Sequence, residues 1–191
     1  MSYKFLKLIF NIVSVILVTI GIALLALNAV KLSIRWYGAL ESTDISKGTY
    51  SSITKIFDGS ETSKATGFDI AFGGHGFEGV FLNKFIFILL FILAVLLVFR
   101  VIFSFIPRLN LVNVILGIIV CWGLIIIGIL IWLTPLFASI SDSNIDFINN
   151  KGNLNYEVLV NKTMTPFVFL SGLVIVFSGV VSFLSLHLRF D

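Results

Sequence analysis

Groups able to hold a metal, move a proton or attack a bond are few in this chain, and their spacing keeps them apart. There are two histidines, His75 and His187, and one cysteine, Cys121. His75 sits in Gly73-Gly74-His75-Gly76, where an imidazole could ligate a metal or sense pH. With no cysteine in that polar segment and the other histidine far along the chain, it reads as an exposed loop residue. His187 is two residues from Ser185, and helix neighbours at that spacing point to different faces. Acid–base or nucleophilic catalysis needs a nucleophile beside a base, or two carboxylates within reach. Every Asp and Glu falls outside the apolar parts of the chain. The expectation is no catalytic residue, no metal site, no cofactor and no enzymatic activity.

The remaining polar candidates are embedded in four apolar runs: Leu8 to Val30, Phe85 to Ile106, Leu111 to Thr134 and Pro166 to Leu186. A helix crosses the roughly 30 Å hydrocarbon layer in about 20 residues at about 1.5 Å each, and each run is long enough. The composition agrees, with 58% hydrophobic and 12% charged residues against about 25% charged in soluble proteins. Mean hydropathy is +1.09. This is the sequence of an integral membrane protein, expected as one bundle with no separate soluble domain. The net charge of +3 comes from 13 scattered Lys and Arg with no basic run, so nucleic acid is not an expected partner. A single cysteine permits no intrachain disulfide, and a cysteine-free polar loop points to a bacterial plasma membrane. Asn161-Lys162-Thr163 matches a glycosylation acceptor, a triplet that also arises by chance.

Charge sets the expected topology. Lys4 and Lys7 precede the first run, which outlasts the about 7 to 15 apolar residues of a cleaved signal and so reads as a retained anchor. Arg108 lies in the short connection between the second and third runs with Arg100 about two turns earlier, and His187, Arg189 and Asp191 follow the fourth. This positive bias places both termini and the 107–110 turn in the cytoplasm. Residues 31–84 and 136–164 then form outer loops, against which Lys31, Arg35, Lys84 and Lys162 weigh.

Within the runs, Asn11, Ser14, Thr19 and Asn28 in the first, and Asn113 in the third, are expected to bond to neighbouring helices, each bond worth roughly 0.6 to 2 kcal/mol in lipid. Gly117, Gly123 and Gly128 lie on the third run, and Ser171, Ser178 and Ser185 recur every seven residues on the fourth, with Ser182 alongside. Small residues at such spacing let helix backbones approach, either within this chain or toward a partner. Arg100 is the one charge inside a run, and its stem is expected to snorkel to headgroup phosphates, as is Arg108 nearby. Phe residues spread around the second run fit lipid exposure, Trp132 fits the outer interface, and Trp122 lies mid-span. Pro107 ends the second helix and forces an antiparallel hairpin, and Thr165-Pro166 suits the start of the fourth.

In the first outer loop, Thr49 to Phe57 is rich in strand formers, Phe68, Ile70 and Phe72 alternate with smaller or polar residues, and Asp58-Gly59 supplies a turn between them. Tyr156 to Val160 is a further strand able to extend the same sheet, and Ser141 to Asn155 reads as part helix, part turn. The expected class is an all-α membrane protein: a four-transmembrane-helix bundle with a small extracytoplasmic antiparallel β-sheet.

Four spans, cytoplasmic ends, a larger first loop with strands and a smaller second loop with one strand resemble the claudin-type tetraspan arrangement in topology. Trp36 stands without the Gly-Leu-Trp and the cysteine pair of that family, so no family residue carries over. The resemblance implies lateral packing in the bilayer and contacts through an outer sheet. The expected function is that of a scaffold or accessory subunit whose partners are membrane lipids and other membrane subunits or itself. The alternative is a subunit of an oligomeric transporter or channel lined by Asn11, Asn28 and Asn113.

Overall fold

The computed structural model describes residues 3–42, 53–74, 77–137, 139–140 and 155–187. Four helices are long and apolar enough to cross a membrane: α1 (Tyr3–Leu25), α3 (Phe81–Phe103), α4 (Asn110–Leu133) and α5 (Pro166–His187). A short α2 (Gly67–Phe72) lies between the first two of these. Strands β1 (Asn28–Ser42), β2 (Ile53–Thr66) and β5 (Asn155–Met164) form an antiparallel sheet in the order β2-β1-β5, and β3 (Phe77–Glu78) pairs with β4 (Ser139–Ile140).

The contacts define an up-down-up-down bundle. Ser14 meets Ser178 and Gly21 meets Ser171, so α1 and α5 run antiparallel. Gly128 lies on Gly172, and Gly179 on the Cys121 carbonyl, so α4 and α5 do too. A 3-10 turn at Pro107–Leu109 joins α3 to α4 as a hairpin, with Gly123 against Leu93 and the Asn83 amide donating to the Thr134 carbonyl at 3.2 Å. Helices α1 and α3 close the ring more loosely, with α2 wedged between their ends on the sheet side. Gly67 packs on Leu25, while Phe68 and Phe72 meet Phe87 edge-on at 5.5 and 6.1 Å.

The sheet grows out of the bundle without a linker. After α1 only Ala26 and Leu27 intervene before β1, and Thr165 alone separates β5 from α5. Pairing runs from Asn28↔Thr66 to Ser42↔Ile53 on one side of β1 and from Val30↔Met164 to Ala39↔Asn155 on the other. The Thr165 hydroxyl, a candidate helix cap, donates to the carbonyls of Asn28 and Ala29, fastening the two junctions together.

Three sequence expectations are corrected here. Helix α1 covers Tyr3–Leu25 rather than 8–30, because the apolar Ala29 and Val30 already belong to β1. Asp58-Gly59 is no turn but pairs with Tyr37 and Trp36 inside β2. Phe68 to Phe72 is helical despite its alternation, because Thr66 and Asp69 form a capping box: the Asp69 amide donates to the Thr66 hydroxyl, and the Thr66 amide to the Asp69 carboxylate. Strand β5 contains Tyr156 to Val160 and joins the sheet. Phe85, Phe91, Phe99 and Phe105 are exposed, whereas Phe87 is buried beneath α2. Trp122 is exposed, and Trp132 donates to the Phe169 carbonyl at 2.9 Å while stacking on its ring. His75 and residues 141–154 lie outside the described residues.

The α4–α5 seam gives a direct test. A Cβ on Gly172 would lie 2.6 Å from the Gly128 carbonyl oxygen and strike the Trp132 indole, whereas one on Gly123 would meet only the Leu93 side chain. Gly172→Ala is expected to cost about 1–3 kcal/mol from overpacking, and Gly123→Ala clearly less. Reversible denaturant titration in mixed micelles measures both.

Candidate functional site

Five of the polar residues that the helices bury gather at the end of the bundle opposite the sheet. Arg100 stands in the last turn of α3, Asn11 near the start of α1, Asn113 in the first turns of α4, and Ser182 and Ser185 near the end of α5. All five are buried, and Arg100 has no solvent-accessible surface.

Arg100 therefore turns inward instead of reaching headgroups. Its Nη1 and Nη2 donate to the hydroxyls of Ser182 and Ser185, and both also approach the Ser182 carbonyl at 3.4 Å. Its Nε lies against Gly117, where a Cβ would come within 3.0 Å, so a side chain at that position would collide with the guanidinium. No Asp or Glu occurs in α1, α3, α4 or α5. The charge is met instead by dipolar acceptors, the two hydroxyls and the Ser182 carbonyl near the C-terminus of α5.

The cluster continues through amides. Ser185 lies 2.9 Å from Asn11 Oδ1 and 2.7 Å from the Ser182 carbonyl, donating toward both. Asn11 and Asn113 each donate an amide proton to Ser104 Oγ, at 3.2 and 3.1 Å, and Ser104 donates in turn to the Arg100 carbonyl at 2.8 Å. Arg100 Nε and Asn113 Oδ1 are buried without a hydrogen-bond partner. Further up, Ser14 and Ser178 exchange hydroxyl-to-carbonyl bonds of 2.8 Å, and Ser171 donates to the Gly21 carbonyl at 2.7 Å.

Among the residues singled out from sequence, Ser182, Ser185, Asn11, Asn113, Gly117 and Arg100 thus meet in one cluster. Ser171 and Ser178 lie above it on the α1–α5 seam, and Gly123 lies between α3 and α4. Asn28 does not pack between helices: it is exposed at the start of β1, where its carbonyl accepts from Thr165. Arg108 stands exposed in the turn, and Thr19 bonds back to its own helix at the Val15 carbonyl. Sequence reasoning missed Ser104, Gly172 and Gly179. The signal for the glycines was present, since each follows a serine of the heptad series.

Chemically this arrangement is a clasp. The cluster's serine hydroxyls bond to carbonyls, amides or the guanidinium and none to a histidine or carboxylate. Among the described residues no group of three His, Cys, Asp or Glu comes together. No protein-family model, no curated protein and no solved structure matches the chain.

A buried charge makes its acceptors more valuable than itself. Removing Ser182 and Ser185 hydroxyls by double alanine substitution is expected to cost roughly 3 kcal/mol, since each bond to a charged group is worth about 1.5–3. Arg100→Met is expected to be close to neutral, because a well-packed apolar replacement relieves desolvation. In the Arg100→Met background the two alanines then cost under about 1 kcal/mol. A thermodynamic cycle from the same denaturant titrations tests this coupling.

Proposed function

We propose that the protein is a tetraspan membrane protein without catalytic chemistry, a scaffold or accessory subunit that works by helix packing in the bilayer and contacts through its sheet. Helices α1, α3, α4 and α5 cross the plasma membrane of a bacterium, with both termini and the Pro107–Leu109 turn cytoplasmic and the sheet outside. The observation that carries this reading is the direct continuation of α1 into β1 and of β5 into α5, which presents a three-stranded platform on a fixed bundle. Strands β2 and β5 are the edges of that sheet. Edge backbone groups are ready to pair with another chain. The claudin-type topology supports the same mode of action.

An oligomeric transporter or channel has less behind it. Transport sites use ionisable groups facing a cavity or a broken helix at mid-membrane. Here the amides of Asn11 and Asn113 are both bound to Ser104, Arg100 is enclosed by α5, and Asn28 is not in a helix.

Two measurements decide the proposal. In a Cys121→Ala background, a cysteine at Ser60 is expected to react with a membrane-impermeant maleimide on intact cells and one at Arg108 only after permeabilisation; the reverse pattern inverts the topology. A photo-crosslinking residue at position 60 is expected to give a stoichiometric adduct with one membrane subunit or a second copy. A strictly monomeric, adduct-free protein in native membranes counts against the scaffold.

A further inference from the structure

The sheet places like charges face to face at its base. Lys31 of β1 pairs directly with Lys64 of β2 on one side and with Thr163 of β5 on the other, a transverse row of two ammoniums and a hydroxyl. Directly opposed residues share one face of a sheet. All three are exposed, whereas the neighbouring pair Val30 and Ala65 is buried against the bundle. Like charges directly opposite each other destabilise a sheet. The next paired positions but one along the strands, Thr62, Ser33 and Asn161, hold no acid to relieve them.

The height of the row selects what neutralises it. A ring of exposed apolar side chains, Leu27, Phe72, Phe81, Leu136, Phe137 and Met164, surrounds the bundle where helices give way to sheet and marks the edge of the hydrocarbon layer. Thr163 is the residue next to Met164, about 3.3 Å along the strand. The row therefore lies within the headgroup layer, about 5–7 Å deep beyond the hydrocarbon. There the abundant anion is a lipid phosphodiester, whose oxygens accept from ammonium and hydroxyl donors alike.

We infer that Lys64, Lys31 and Thr163 bind the phosphate of an anionic phospholipid in the leaflet on the sheet side. The inference rests on the helices crossing a membrane. Two ammoniums against one phosphate leave an excess positive charge, so the site prefers phosphatidylglycerol to zwitterionic phosphatidylcholine. Binding also removes the repulsion between the lysines and ties the hairpin base to the membrane.

Native mass spectrometry of the full chain from micelles holding equal dioleoylphosphatidylglycerol and dioleoylphosphatidylcholine reads the preference. The wild type is expected to retain phosphatidylglycerol selectively, each lysine contributing roughly fivefold near an anionic surface. Lys31→Gln/Lys64→Gln should abolish the selectivity, Lys31→Arg/Lys64→Arg should keep it, and Thr163→Val should weaken it. Equal retention of both lipids by the wild type, or unchanged selectivity in the Gln pair, overturns the inference. So does inorganic phosphate that raises the thermal midpoint as much as phosphatidylglycerol does, since the source is then not lipid. Carbonate washing of native membranes tests the spanning reading separately: a chain released by carbonate overturns that reading, and with it the lipid site.

Discussion

Lipid gives apolar helices no hydrophobic reason to associate, so this bundle depends on how closely α5 approaches its neighbours. Ser171 and Ser178 turn toward α1, and Gly172 and Gly179, each one residue later and so about 100° further round, turn toward α4. One helix thus presents hydroxyls to one neighbour and bare backbone to the other. Between α4 and α5, contact is close enough that Gly172 would clash with the Gly128 carbonyl if it carried a Cβ. The exposed faces of the same helices carry Ile, Leu and Phe suited to acyl chains.

Arg100 follows from that closeness. A guanidinium in an apolar interior needs acceptors, and hydroxyls can supply them without a carboxylate. Ser182 and Ser185 do so for Nη1 and Nη2, while Gly117 leaves the room that the side chain fills. The two asparagines are drawn in through Ser104, so that all four long helices share one polar knot at the end remote from the sheet.

Apolar runs made the four long helices legible, because nearly uncharged stretches of that length have few alternatives. Their ends were less so: Ala29 and Val30 look the same to a hydropathy reading whether they end a helix or begin a strand. Phe68 to Phe72 shows the competition plainly, since period-two alternation lost to a local capping box two residues upstream. Strand β1 carries alternation of its own in Leu32, Ile34 and Trp36, yet its apolar start blended into the preceding run. The seven-residue serine series pointed to the right face of α5. The fate of Arg100 was not legible, because a snorkelling and an inward-facing arginine have identical local sequence, and the choice depends on serines more than eighty positions away.

The seamless passage from α1 to β1 and from β5 to α5 has a mechanical meaning. At about 3.4 Å per residue, β1 extends about 50 Å, so a sideways load at its tip acts through a long lever arm. With only two residues at one joint and one at the other, bolted together by Thr165, no hinge absorbs that torque. Force applied to the sheet is delivered first to the α1–α5 pair, and passes from there to α4 across the close α4–α5 seam and to α3 through α2.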